Sequence, residues 1–515
     1  MKRPVLAGVL ALGLLPTTLL AAAKKVDPVP ELDRLAETAR VQWSVPGLAV
    51  VVVRDGRVLL AKGYGVRELG NSMTLTEANR VNADTLFAAG STTKAMAVTT
   101  VGMLVDEKKL GWDDPVRKYI PELQFADATL SDSLTVRDLL THHTGLPETD
   151  YLWYSNGLSW PGILARLKGV GPTAPLRSRF EYQNVMYGVV GDLVGRIAGM
   201  PWPEFLRHRV FQPLGMTSAV ALGEEAAKSS NHATPHSRED GALVTGETLG
   251  LVDPIPAAGS VWLSANDEAK WLRFLLDPTA VKDANGEPLL APATVEEIFR
   301  PQVVIQPGAF YPTAEKTQPK WTTYGFGWFQ QDYRGRRIDF HTGSIDGMIA
   351  IVGLVRDEHF GVAVFANLDH AELRHALMLS AFDLFLEGNL SRDWNHDLRT
   401  MYDGLRSKGD ADRAAFEAKR VPNAPPAHAL AAYAGTYSEP LYGDIHFTLD
   451  AGKLSARVNR ILIGQASPWH YETFRVAWQR KLDGVSWANF HTNDEGQVNA
   501  VEIDGHSYAR QASAN

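Results

Sequence analysis

Cysteine is absent from all 515 residues of the chain. A chain without thiols can form no disulfide and can carry no thiol-linked lipid anchor. We therefore expect a fold that is held together by its hydrophobic core alone. The composition can supply such a core, because 45% of the residues are hydrophobic and 21% are charged, and a chain of this length is expected to contain more than one domain.

An excess of basic residues is also absent. The formal net charge is −8 at pH 7, and the sequence contains no basic patch and no run of aromatic and arginine residues. Because proteins bind nucleic acids through clustered positive charge, we expect no nucleic-acid partner. Internal repeats and low-complexity tracts are missing as well.

Residues 1–23 have the organisation of a secretory signal. Lys2 and Arg3 precede an apolar run, and the segment ends in three alanines, Ala21–Ala23. The run is shorter than the ~20 residues that span a bilayer, so a cleaved signal is favoured over a single membrane anchor. We expect a periplasmic or secreted protein that has no membrane contact once the signal is removed.

The remaining pattern predicts an α+β domain over residues 24–390. Helical spacing marks residues 31–42, and buried strands are expected at 47–54 and 57–63 around an Asp55–Gly56 turn. Further alternation at 324–328, 337–340, 348–355 and 360–366 would complete an antiparallel sheet of about five strands, with a helix at 371–386 on its face. Residues 200–300 read as mostly helical, and residues 301–320 read as a long surface loop.

A polar helical stretch and a proline-rich segment form the predicted linker, residues 391–426. Short strands rich in Tyr, Trp and Val follow over residues 427–515. They predict a small all-β module, either a sandwich or a barrel.

The stretch Phe87–Val98 is the first candidate for chemistry. Small residues turn into an apolar helix pattern, which places Ser91 at a helix N-terminus and Lys94 on the same face one turn later. The Lys94 amine could thus approach the Ser91 hydroxyl. Taken alone, the four residues Ser91–Lys94 favour a structural role, in which Ser91 caps the helix and Lys94 is a solvated side chain.

Two further motifs are equally weak by themselves. A polar turn at Tyr182–Asn184 enters an apolar helix that Gly199 would cap, so Tyr182 and Asn184 would point to one side. The pair His142–His143 follows a short helix, but zinc needs three or four ligands, and the sequence has no H-E-x-x-H motif and no cysteine. A packing role is favoured for both histidines, and no metal or cofactor is predicted.

Taken in order, Ser91-Thr-Thr-Lys94, Tyr182-Gln-Asn184 and His341-Thr-Gly343 resemble one family closely. The sequence is similar to the serine β-lactamase-related hydrolases, which include class C β-lactamases, D-alanyl-D-alanine carboxypeptidases, D-aminopeptidases and some esterases. The resemblance covers roughly residues 30–390 and implies the β-lactamase/transpeptidase-like fold. The module after residue 427 resembles the lipocalin-like domain attached to many such hydrolases.

The resemblance implies a role for each motif residue. Ser91 would form an acyl-enzyme, Lys94 and Tyr182 would carry protons, and Asn184 would hold the substrate's amide carbonyl. The backbone N–H groups of Ser91 and Ser344 would form the oxyanion hole.

His341 stands where many relatives carry lysine, and Thr342 and Gly343 complete the substrate-binding strand. The change replaces a fixed cation by a group that is half charged near pH 6.5. The His-x-Gly form is also found in D-peptidases of the family, so the resemblance implies amide or peptide substrates over efficient β-lactam hydrolysis. We predict an exported serine hydrolase that cleaves short or D-residue-containing peptides. A carboxylesterase or weak β-lactamase, a penicillin-binding sensor without turnover, and assembly into a homo-oligomer remain open.

Overall fold

The computed structural model describes residues 26–69, 76, 79–154, 157–246, 249–282, 286–459 and 462–512. The signal predicted at residues 1–23 lies outside these ranges. Within them, no helix combines the length and the apolar character needed to cross a membrane.

The strands of the described residues are numbered along the chain. They are β1 Gly47–Arg54, β2 Arg57–Gly65, β3 Phe87–Ala88, β4 His236–Glu239, β5 Ala242–Thr245, β6 Trp262–Leu263, β7 Val303–Val304, β8 Thr322–Tyr324, β9 Phe329–Tyr333, β10 Arg336–Ile345, β11 Met348–Val355, β12 Phe360–Ala366, β13 Gly435–Glu439, β14 Gly443–Asp450, β15 Lys453–Arg457, β16 Ile463–His470, β17 Thr473–Trp478, β18 Val485–Thr492, β19 Val498–Ile503 and β20 His506–Arg510.

The helices are numbered in the same way. They are α1 Pro28–Gln42, α2 Thr93–Asp106, α3 Ala128–Ser133, α4 Val136–Thr141, α5 Trp160–Arg166, α6 Asn184–Ala198, α7 Trp202–Leu206, α8 Gln212–Leu214, α9 Gly223–Ala226, α10 Pro256–Gly259, α11 Ala265–Leu276, α12 Pro292–Phe299, α13 Ala314–Thr317, α14 Leu373–Phe382 and α15 Trp394–Glu417.

One antiparallel sheet organises the first domain, with strand order β2-β1-β12-β11-β10-β9-β8-β7. Both faces are buried: Ala49, Val51 and Val53 of β1 join the cluster that contains α2, α6 and α11, whereas the alternate residues join the cluster that contains α1 and α14. Burial on both faces explains why β1 reads as an unbroken apolar run instead of an alternating one. The predicted α+β class is confirmed.

The sheet has eight strands where about five were expected. The additional strands are the short β7, β8 and β9 at one edge, which are too brief to show a clear alternation. The expected strand at 324–328 was placed wrongly, because Tyr324 ends β8, Gly327 turns with a φ of 72°, and Phe329 begins β9. In place of a continuous loop, residues 301–320 contain β7 and α13.

The C-terminal module is a closed antiparallel barrel of eight strands, β13–β20, around its own aromatic core. The long helix α15 joins it to the first domain. Trp394 and Leu398 at its start are buried, and Phe416 near its end contacts Trp487 of β18 with ring centroids 5.0 Å apart.

Candidate active site

Ser91 lies where a strand runs into a helix. β3 leads into a single 3-10 turn, Gly90–Thr92, and α2 begins at Thr93. Gly90 has a φ of 52°, and a Cβ there would lie 2.9 Å from the Ser344 nitrogen. Only glycine therefore lets this turn approach β10 closely.

Lys94 lies one turn after Ser91, as the sequence spacing predicts. Its Nζ is 3.0 Å from Ser91 Oγ, and it also donates to Asn184 Oδ1 at 2.8 Å and to the Ala258 carbonyl at 2.9 Å. The side chain is fully buried. Burial lowers the pKa of Lys94 to about 7, against the opposing charge of Asp150, so a large fraction of the amine is neutral at physiological pH.

Tyr182 completes the contact with the Ser91 hydroxyl. Its side chain hydrogen-bonds Ser91, and its ring centroid is 4.9 Å from Lys94 Nζ. Burial raises the pKa of Tyr182 well above its usual value, although the bond to Ser91 acts in the other direction. The phenol therefore stays protonated at neutral pH and can give a proton but cannot start as a base.

Asn184 connects the amine to a carboxylate that the sequence did not reveal. It is the first residue of α6; its Oδ1 accepts from Lys94, and its Nδ2 donates to Asp150 Oδ2 at 2.9 Å. Asp150 lies 34 residues earlier, at the start of the 3-10 turn Asp150–Leu152, where no local pattern marks it. Only the fold places it behind Asn184.

His142 packs beneath Tyr182. It ends α4 with a φ of 55°, three residues before the Gly145 expected to stop the helix. Its ring centroid is 4.2 Å from that of Tyr182, and its Nδ1 accepts the Gln183 N–H at 3.0 Å. The described residues contain no group of three or more His, Cys, Asp or Glu side chains placed to bind a metal ion.

β10 forms the opposite wall with His341, Thr342, Gly343 and Ser344. His341 is buried, with Nε2 3.0 Å from the Tyr324 hydroxyl and Nδ1 2.6 Å from the Thr342 carbonyl. Burial, together with the charge of Lys94, lowers the pKa of His341 to about 3. The expected half-charged histidine is thus wrong, because the sequence could not show that the ring is cut off from water.

The two expected oxyanion donors lie side by side. A Cβ on Gly343 would overlap the Ala89 carbonyl oxygen and would lie 3.1 Å from the Ser91 nitrogen. Pairing of β10 with β9 stops at Phe340, so within the described residues no strand covers that edge of β10 at Ser344. The backbone of Ser91 and Ser344 thus converges on an open sheet edge.

The barrel docks beside this edge. Arg480, between β17 and β18, donates to the Tyr154 hydroxyl at 2.6 Å and to Asp346 at 2.8 Å. Asp346 is two residues beyond Ser344, in the turn from β10 to β11. Tyr154 also bonds Asp346, at 2.7 Å, so the barrel and the catalytic domain share one polar network.

The fold and the site together define a class of protein. The family model described as Beta-lactamase matches residues 32–382, and the chain belongs to that family. A second model, described as a domain of unknown function, DUF3471, matches residues 419–513, which include the barrel. The protein is a hydrolase of the β-lactamase family with an appended eight-stranded barrel.

Individual relatives are distant. The chain is 27% identical over 434 residues to the unguisins hydrolase ungD' of Aspergillus campestris, covering 79% of this chain and 76% of the relative. The octameric penicillin-binding protein homologue from Pyrococcus abyssi superimposes with a TM-score of 0.62 at 20% identity, over 94% of this chain and 99% of that one. A D-stereospecific amidohydrolase from Streptomyces sp. gives a TM-score of 0.54 at 21% identity, over 70% and 99% of the two chains.

Proposed function

We propose that the protein is an exported serine hydrolase that cleaves amide bonds in short peptides, including peptides with D-residues, through an acyl-enzyme on Ser91. One observation carries the proposal: a buried amine with a lowered pKa lies 3.0 Å from the hydroxyl of a serine at a helix N-terminus. A serine hydroxyl needs a base to become nucleophilic, and this amine is in position to act as one.

The geometry supports an ordered proton path. Lys94 Nζ takes the hydroxyl proton as Ser91 Oγ attacks the substrate carbonyl carbon, and the carbonyl oxygen becomes an oxyanion between the N–H groups of Ser91 and Ser344. Tyr182, which is still protonated, gives its proton to the departing amine and regains one from Lys94. Water then attacks the ester by the reverse route, which releases the acid and restores Ser91.

Asn184 and Asp150 keep this path aligned. The Asn184 oxygen accepts from Lys94, so the amine's position depends on the orientation of the amide. Asp150 fixes that orientation, because it accepts from the Asn184 amide nitrogen. Asn184 is then a positioning residue for Lys94 as well as a candidate contact for the substrate carbonyl.

Two facts support amide substrates over β-lactams with a carboxylate. The neutral His341 gives β10 no cation at the place where many relatives carry lysine, so a substrate carboxylate gains little there. In addition, a relative with 27% identity is named as a hydrolase of unguisins, and a structural neighbour is named as a D-stereospecific amidohydrolase. Export rests on the signal pattern at residues 1–23 alone, and the octameric neighbour supports assembly into an oligomer.

The test combines labelling with a substrate panel. A fluorophosphonate probe should modify wild type at Ser91 and leave Ser91→Ala unlabelled, while Ser407→Ala, a change of an exposed serine on α15, should be labelled like wild type. D- and L-aminoacyl amides should be cleaved, and Ser91→Ala should lose the activity. Unlabelled but active wild-type protein would refute the proposal.

The same panel separates the rival activities. A preference for p-nitrophenyl butyrate over every amide by several orders of magnitude would identify a carboxylesterase. A stable penicilloyl adduct on Ser91 without turnover of any amide or ester would identify a sensor.

A further inference from the structure

Arg374 lies directly behind the strand that carries the second oxyanion donor. It is the second residue of α14, is only 4% exposed, and makes no contact with Ser91 or Lys94 among the contacts of the described residues. Its Nη1 donates to the Gly343 carbonyl at 2.6 Å and to Ser344 Oγ at 2.8 Å. The catalytic steps described above do not use this cation.

Glu372 fixes the guanidinium in a single orientation. Its two carboxylate oxygens accept from Arg374 Nε at 3.0 Å and from Nη2 at 2.9 Å, in the forked geometry that arginine and carboxylate favour. Burial alone would raise the pKa of Glu372. The charge of Arg374 and the hydrogen bond from His375 outweigh burial and hold this pKa well below its usual value, so the ion pair persists at neutral pH.

The Gly343 carbonyl and the Ser344 N–H belong to the same peptide unit. The described peptide bonds are trans, so the two groups of that unit point in opposite directions. Arg374 also lies 3.3 Å from the carbonyl of Ala350, the residue opposite Gly343 on β11, which places the guanidinium on the β11 side. The Ser344 N–H therefore points to the open edge, where the turn at Gly90 and Ser91 approaches it.

We propose that Arg374 is a positioning residue that orients and polarises the Gly343–Ser344 peptide, so that the Ser344 N–H becomes a stronger oxyanion donor. The inference rests on the proposed function, because it needs an oxyanion at that N–H. A cation on the carbonyl oxygen draws electron density from the amide nitrogen, and hydrogen bonds that share one peptide unit strengthen one another in a low-dielectric interior. Preorganised donors of this kind supply much of the stabilisation in acyl transfer.

A purely structural role for Arg374 predicts different behaviour. If the side chain only joins α14 to β10, its loss lowers stability but leaves the environment of the oxyanion unchanged. If it polarises the peptide, its loss changes the electronic environment of any oxygen bound at the Ser344 N–H. A phosphonyl group on Ser91 places such an oxygen there, and its phosphorus resonance reports on the surroundings.

The experiment compares phosphonylated variants of the full-length protein. Wild type, Arg374→Lys and the double variant Arg374→Met with Glu372→Gln are labelled with a fluorophosphonate probe, and the labelling rate and phosphorus NMR shift are recorded. The double variant avoids a buried carboxylate without a partner. Arg337→Met, combined with Asp339→Asn for the same reason, is the matched control, because Arg337 lies on the same strand and also pairs with a buried carboxylate, that of Asp339 at 2.8 Å.

We expect labelling and kcat to fall about tenfold to a hundredfold in the double variant, less than the loss of a whole oxyanion donor. KM should change little, and the phosphorus resonance should move, whereas the control variant should leave it in place. Arg374→Lys, which keeps the charge but not the fork, should give a smaller change in the same direction, and it carries the test if the double variant does not fold.

Two outcomes would overturn the inference while leaving the proposed function intact. One is a phosphorus shift identical to wild type in both Arg374 variants. The other is a labelling rate of the double variant that stays within twofold of the wild-type rate. Failure of the proposed function is separate, because wild type itself would then not be labelled at Ser91.

Discussion

At the scale of single residues, the site depends on groups that burial holds in unusual protonation states. Lys94 is partly neutral near pH 7, Tyr182 stays protonated, and His341 is uncharged. The proposed assignment of Lys94 as base and Tyr182 as acid follows from these states, because a neutral amine can take a proton and a protonated phenol can give one.

The rate should follow the deprotonation of Lys94. We expect kcat/KM for an amide substrate to rise with pH through a midpoint near 7 and to fall about tenfold per pH unit well below it, since the ammonium form has no lone pair. Initial rates between pH 5 and 9 measure this profile. A flat profile from pH 6 to 8 would contradict Lys94 as the base, and Lys94→Arg should be inactive at every pH.

We expect His142 to stabilise the fold through its ring nitrogen Nδ1. His142→Phe keeps an aromatic ring against Tyr182 but leaves the buried Gln183 N–H without its acceptor, which costs about 1–3 kcal/mol of unfolding free energy. Urea denaturation measures the loss, and kcat should fall because Gln183 lies between Tyr182 and Asn184. His143→Phe, at the partly exposed neighbour, should change stability by less than about 0.5 kcal/mol. Equal losses in the two variants would contradict this role.

At the scale of elements, the sequence predicted the parts that rest on local spacing. The Ser91–Lys94 contact follows from the pitch of one helical turn, and Gly199 caps α6 as its residue type indicates. The edge strand β7, with two residues, is too short to show an alternating pattern. Asp150 and Arg374 could not be predicted, because tertiary contacts alone bring them to the site.

β10 lies so close to the Ser91 turn that we expect a side chain at position 343, in place of Gly343, to disturb the site. In Gly343→Ala the new Cβ would overlap the Ala89 carbonyl, so strand and turn must separate and the two N–H donors move apart. We expect kcat to fall more than about a hundredfold, as for the loss of an oxyanion donor. Steady-state kinetics with an aminoacyl amide measures the change.

Gly404→Ala is the control for the same substitution in open space. Gly404 lies inside α15 and a Cβ there meets no atom within 4 Å, so alanine should leave activity unchanged and stabilise the helix by up to about 1 kcal/mol. Retention of full activity in Gly343→Ala would show that the strand and the turn do not need this spacing.

At the scale of the whole molecule, the barrel and the catalytic domain are joined at the edge of the site. The predicted barrel-like module is confirmed in its all-β architecture, but its docking through Arg480, Tyr154 and Asp346 could not be foreseen from sequence. A single surface ion pair contributes little to the free energy of unfolding. The partly buried Arg480, in contrast, joins three groups at once, namely Tyr154, Asp346 and Asp483.

Removal of that arginine should uncouple the two domains. In Arg480→Ala we expect the barrel to unfold in a separate, earlier calorimetric transition, and kcat to fall several-fold as the turn after Ser344 loosens. Scanning calorimetry and kinetics on the same preparation measure both effects. Arg457→Ala, at an exposed position on the barrel strand β15, should match wild type, and a single unshifted transition in Arg480→Ala would contradict the coupling.

In the part of the chain that the structure describes, no strand covers the edge of β10 beyond Phe340, and this has a consequence for selectivity. A guest chain laid along that edge would be recognised mainly by its amide groups, which are common to all peptides, and little by the identity of its side chains. Inverting one stereocentre would then redirect a side chain without removing those amide contacts. Tolerance of mirror-image residues would in that case be a property of the docking mode itself, and inhibitor design should begin from rigid backbone mimics.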